Sequence, residues 1–192
     1  MPSLHESMMS LMASGDNLSA ISKSVSGNPD AVKSALGMGL PMILGSMSNT
    51  ASTPAGAQKL ASMLGQSGGT IPLDNVSGYL GSTAAAGGSG MLNSLLGSQL
   101  TPIQNAISQK TGLPPAVVGQ VLAIAAPLVI SHVGKMVTGQ KVKSAGLASF
   151  LGEHSKAALQ SSPEAAALGK QYLGTQQESG GLGGFLKKLL KR

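Results

Sequence analysis

Apolar residues recur at Val32, Leu36, Leu40, Ile43, Leu44 and Met47, close to the 3.6-residue period of an α-helix. Asn28 precedes Pro29 and Asp30 follows it. These supply a side-chain cap, a proline suited to the first helical position and an acid at the positive end of the helix dipole. A second long element starts at Pro114-Pro115 and runs toward Val137. It is apolar on nearly all sides, which predicts a buried central helix. Pro41 and Pro127 each lie 12 residues past the starting proline. Each removes a backbone hydrogen bond and crowds the carbonyl four residues back, at Gly37 and Ala123, which predicts a kink or a break in both elements.

These two elements belong to an internal duplication. A shift of 86 residues lays Ile21-Ser22 on Ile107-Ser108, Pro29 on Pro115, Val32 on Val118, Leu36 on Leu122 and Pro41 on Pro127. One further residue in the next loop brings Leu60–Gly65 onto Leu147–Gly152, with a difference only at Met63 and Phe150. Chance matching among Ala, Gly and Ser does not hold two prolines in register. The repeat halves span about 18–65 and 104–152, joined by short helices within 73–97. A short pattern ending in Leu-Gly appears at Leu60–Gly65, Val76–Gly81, Leu92–Gly97 and Leu147–Gly152. It predicts short helices closed by a left-handed glycine. Ser82–Gly90 reads as a flexible loop. Ser162-Pro163-Glu164 opens a further helix expected to reach about Leu173 and stop at Gly174. The predicted fold is all-α: a compact multihelical array in one domain, 1–175, followed by a Gly-rich linker and basic tail, 176–192.

Composition supports helices. Tyr79, Phe150, Tyr172 and Phe185 are the only aromatics, so the core rests on Leu, Ile, Val, Met and Ala rather than on the aromatic and β-branched residues of sheets. The ten Met read as core filling. Cysteine is absent, which excludes a disulfide framework and a thiolate metal site. The most apolar stretch, Val121–Ile130, is ten residues long, against about 20 for a membrane span, and no basic leader segment precedes it. A soluble, cytoplasmic protein is therefore expected.

Chemistry-bearing residues are few. His5, His132 and His154 are far apart in sequence and form no metal-binding pattern. His132 reads as a half-buried histidine closing a hydrogen bond. Gly65-Gln66-Ser67-Gly68-Gly69 matches G-x-S-x-G, but the nucleophile elbow needs a strand before it, and a helix is expected there. No phosphate-binding or dinucleotide fingerprint is present. No catalytic, cofactor or metal residues are assigned. The net charge of +6 is concentrated at one end. Setting Lys187, Lys188, Lys191 and Arg192 aside leaves nine basic against seven acidic residues, a net of +2. A single Arg and few aromatics argue against a nucleic-acid partner.

The tail carries the clearest interaction pattern. Leu182, Phe185, Leu186, Leu189 and Leu190 lie at i, i+3, i+4, i+7 and i+8, with Lys187, Lys188, Lys191 and Arg192 elsewhere on the wheel. That is a short basic amphipathic helix which should fold on a surface. The surface is its own domain, a protein groove or an anionic membrane.

The chain resembles the YidB-like family, a bacterial domain of unknown function. The likeness is carried by Gly56-Ala57 with Leu60–Gly65, Val76–Gly81, Leu95–Gln99, Ile107-Ser108 with Thr111–Pro114, Ala125–Val129, Gly146–Glu153 and the glycine-rich basic end Gly180–Arg192. The resemblance implies a compact multihelical fold and a bacterial origin, and no substrate or catalytic residue.

Three readings of function follow. The first is a non-enzymatic helical scaffold or protein-interaction module, with a second copy or another protein as partner. The second is a membrane-surface protein using its tail. The third is an enzyme with an unfamiliar site around His132, Lys135 and Glu153. Variants of the tail separate the first two. Replacing its four basic residues with Gln abolishes membrane recruitment but spares a protein groove, whereas Phe185→Ser with Leu189→Ser weakens both. Liposome flotation and crosslinking of the full-length variants check this.

Overall fold

The computed structural model describes residues 4–67, 71, 76–80 and 87–173. Among them the chain is helical throughout, with no strand. The elements are α1 (Leu4–Met12), α2 (Gly15–Ser24), α3 (Pro29–Ala51), α4 (Pro54–Ser67), α5 (Val76–Leu80) and α6 (Gly88–Leu96). A 3₁₀ turn at Gly97–Gln99 leads to α7 (Leu100–Thr111), α8 (Pro115–Gly139), α9 (Ser144–Ser161) and α10 (Pro163–Leu168), which ends in a π-helical turn, Gly169–Leu173. The linker and basic tail expected at 176–192 lie outside the described residues.

Helix starts follow local chemistry. The Asn28 side-chain oxygen accepts from the backbone N–H groups of Asp30 and Ala31 at 2.9 and 3.3 Å, with Pro29 at the first helical position. Ser162 does the same for α10, accepting from Ala165 N–H at 3.2 Å ahead of Pro163. At the α7–α8 corner, Gly112 takes a left-handed φ of +74° and its N–H reaches the Ser108 carbonyl at 2.9 Å. The Ser108 hydroxyl then donates to the Leu113 carbonyl at 2.6 Å. This motif, one of those carrying the family likeness, is thus a corner. In the register of the repeat, Gly112 pairs with Ser26, which holds a φ of +53° without the freedom of glycine.

Helices α3 and α8 form the centre. They start at Pro29 and Pro115, and of the kink or break expected at Pro41 and Pro127 the break does not occur, since both helices run through. Every residue from Met38 to Met47 is buried in α3, and every residue from Val121 to Ser131 in α8. Helix α3 has an amphipathic pattern in sequence. It is as enclosed as α8, because neighbours cover its glycine, serine and proline positions too. The two helices approach so closely that a Cβ on Gly39 would overlap Leu122 Cδ2. Five Met, at 8, 12, 38, 42 and 47, fill this core. The other helices wrap it: α9 lies along α3, α4 along α8 and α3, α6 and α7 on α8, and α1 on α9 and α3.

The full α8 is longer than its most apolar stretch suggested. It has 25 residues, and its most apolar 18-residue window has a mean hydropathy of 2.0, so it is long and apolar enough by length and composition to cross a membrane. Here 72% of its most apolar window is buried inside the fold, where it serves as core. Gly119, Gln120, Ser131 and His132 do not terminate it.

Two of the four Leu-Gly pairs do not close helices. Gly65 and Gly152 lie inside α4 and α9, where packing outweighs the roughly 1 kcal/mol that glycine costs a helix interior. Gly97 does end α6, with φ +50°, and Gly81 lies outside the described residues. Gly88 has a different task. The carbonyl that Pro127 leaves without its helical partner is that of Ala123. The backbone of Gly88 comes so close that a Cβ there would overlap the Ala123 oxygen and lie 3.3 Å from Pro127 Cγ. Gly90, one turn position on, has nothing within 4 Å of such a Cβ. Two neighbouring glycine substitutions should therefore act in opposite directions. Gly88→Ala forces α6 off α8 and costs about 1–3 kcal/mol. Gly90→Ala stabilises by up to about 1 kcal/mol. Urea unfolding of the two variants checks both signs.

Candidate functional site

A groove of about 560 Å³ opens where α9 and α10 close over the second half of α3. Each wall is built from helical spacing. From α3 come Gly45, Ser48 and Asn49, and from α9 come Gly152, Ser155, Lys156, Leu159 and Gln160. The third wall, Ala166, Gly169, Lys170 and Leu173, continues one face from α10 into the π turn. Positions three and four apart share a helix face, so each helix presents one stripe to the groove. The stripes are short-chained where helices meet. A Cβ on Gly45 would lie 3.3 Å from Ser155 Oγ and overlap Leu173 Cδ1, and one on Gly152 would lie 3.5 Å from Ser48 Oγ. Leu173 thus seats on bare backbone at Gly45.

Beyond Leu173 lies a second cavity of about 250 Å³, sharing Asn49 and Leu173 with the first. Its lining includes Ser46, Thr50, Ser94, Gln99 and Tyr172. The buried Ser46 hydroxyl donates to the Leu95 carbonyl and ties α3 to the end of α6. Lys156 of α9 and Lys170 of the π turn are exposed and both line the larger groove. Ammonium groups in that position act as point charges.

The residues considered for an enzymatic site are not brought into this groove. His132 is half-buried on α8 against Met8, Leu11 and Met12 of α1, beside a void of about 10 Å³. Lys135 and Glu153 are exposed and line neither the groove nor the second cavity. His132 also departs from expectation in its bonding. Its buried Nδ1 has no hydrogen-bond partner, as is true of Nδ1 of His5 on α1. His154 packs edge-on against Phe150, with ring centroids 4.6 Å apart. Gly65, Gln66 and Ser67 of the G-x-S-x-G match belong to α4, so a helix leads into Ser67, and the rest of the match lies outside the described residues. Among the described residues no three His, Asp or Glu cluster as metal ligands do. Phe185, Leu186, Leu189, Leu190 and the tail cations lie outside them. The groove itself escaped the sequence reading. Its one visible signal was the small-residue stripe of α9 at Gly152 and Ser155.

The two buried histidines make stability depend on pH. Burial holds both imidazoles below their ordinary value of 6.5, with Lys135 lowering His132 further and Glu6 opposing the shift at His5. The unfolded chain takes up these protons near pH 6.5, and the folded chain only at lower pH. Stability therefore falls as pH drops below 6.5 toward the folded values, and the loss levels off beneath them. Urea midpoints measured from about pH 7 to about pH 5 should show this slope, and His5→Leu with His132→Leu should flatten it.

Comparison with known proteins adds family but no activity. No curated protein and no solved structure matches the chain. A family model described as a bacterial protein of unknown function, DUF937, matches residues 7–136, more than half of the chain. The match contains α3 and most of α8, ending at Met136 before α9, so two of the three groove walls lie beyond it. YidB is a member of the same family, in keeping with the resemblance carried by the corner and cap motifs. The chain belongs to the DUF937 family of bacterial proteins of unknown function.

Proposed function

We propose that this protein is a non-enzymatic helical binding module whose working surface is the groove between α3, α9 and α10. The observation that carries the reading is the groove's lining. Among the described residues it consists of glycines, short hydroxyl side chains, amides, two leucines, an alanine and two lysines, with no imidazole or carboxylate. Such a surface offers shape, hydrogen bonds and charge, which are the means of holding a partner. General acid–base chemistry asks instead for a tuned titratable group within reach of a substrate. The buried histidines, the most perturbed imidazoles, face α1 or the core and do not line this groove. The rigid frame of α3 and α8 suits the same role, since a binding surface gains from walls that are already in place.

The test uses full-length protein in its native cell. A photo-crosslinking residue placed at Gln160, inside the groove, is compared with one at Lys59, exposed on α4 and away from it. Adducts specific to position 160 are expected, and Gly152→Leu, which fills the groove, should remove them while circular dichroism stays unchanged. The same adducts at both positions, or adducts insensitive to Gly152→Leu, would assign the interaction to another surface.

A further inference from the structure

Among the described residues the charge of the groove has one sign. Lys156 stands on the α9 wall and Lys170 on the π-turn wall, and no carboxylate of a described residue lines the groove with them. Glu153 and Glu164, close to these elements in sequence, do not line it. Beneath the lysines the surface is mainly apolar, with Leu159 and Leu173 as its largest hydrocarbon side chains. The volume of about 560 Å³ is that of a small-molecule site, in the usual range of roughly 300–1,000 Å³. An apolar floor under unbalanced cations is complementary to an apolar chain that ends in an anion. The protein's own tail has a suitable apolar stripe but the wrong sign, because Lys187, Lys188, Lys191 and Arg192 would meet Lys156 and Lys170.

We infer that the groove binds a medium-chain monocarboxylate, with its carboxylate between Lys156 and Lys170 and its chain against Leu159 and Leu173. The inference rests on the groove being the binding surface. The α9 wall from Gly152 to Gln160 is about 12 Å long. An extended chain of roughly ten carbons covers that length, given carbon–carbon bonds of about 1.5 Å. Asn49 and Gln160 add amide donors for a carboxylate oxygen. Leu173 sets the chain length, because it divides the groove from the second cavity while seated on Gly45.

Calorimetric titration of full-length protein with decanoate, decanol and acetate tests this. Decanoate should saturate a single site, and decanol, which lacks the charge, and acetate, which lacks the chain, should bind at least about tenfold more weakly. Lys156→Gln with Lys170→Gln should weaken decanoate at least about tenfold, with the thermal midpoint of the unliganded protein unchanged. Leu173→Ala should join the two cavities and move the preference toward tetradecanoate. Decanol binding as well as decanoate, or decanoate binding untouched by the double substitution, would overturn the inference. Absence of decanoate binding would also overturn it. If the Gln160 adducts nevertheless remain sensitive to Gly152→Leu, only the ligand class falls. Loss of both removes the groove as the site.

Discussion

The contact between α3 and α8 is the interaction on which the rest of the structure depends. Each helix is enclosed on all sides over ten or more consecutive residues, and the two meet at Gly39 and Leu122 without room for one added methyl. A helix apolar around its whole circumference must be covered on every side. The remaining helices therefore act first as cover. Burial of side chains such as Leu36, Leu40, Leu122 and Val129 contributes roughly 1.5–3 kcal/mol each, so that together they outweigh the local caps at about 1 kcal/mol apiece. That energy also carries the helices through Pro41 and Pro127, where an isolated helix would break.

Prolines in such a core leave carbonyls without helical partners, and the cover must fit around them. At Ala123 the fit comes from Gly88, whose backbone enters the space a side chain would fill. At the other end of the molecule the small stripes of α3 and α9 let those helices close on each other at Gly45, Ser155, Ser48 and Gly152. The same small residues leave the groove above them unfilled. Close packing and cavity thus have one origin, namely short side chains on facing helices.

The family match ends where this groove begins to be built, since α9 and α10 follow residue 136. The two lysines belong to this later part of the chain, whereas α3 contributes hydroxyl, amide and backbone but no charge to the lining. On the proposed reading, recognition in this region is set by α9 and the π turn. π turns often mark functional positions in helices, and here the turn brings Lys170 and Leu173 to the same wall.

The amino-acid sequence by itself determined the features whose causes are local. Asn28-Pro29 and Ser162-Pro163 start helices because a side-chain oxygen and a fixed φ act within three residues. The apolar run of α8 required apolar cover on nearly every side, and this fold supplies it. Even the α1 helix was legible in principle, with Leu4, Met8 and Met12 on one face. Tertiary structure decided what depends on distant neighbours. The same Leu-Gly pair ends a helix at Gly97 and lies within one at Gly65 and Gly152, which the local pattern does not distinguish. The enclosure of α3, the unpartnered nitrogens of His5 and His132, and the groove all require helices far apart in sequence to meet. Local signals act through bonds a few residues long, whereas a cavity is the space left between surfaces that only the folded chain brings together.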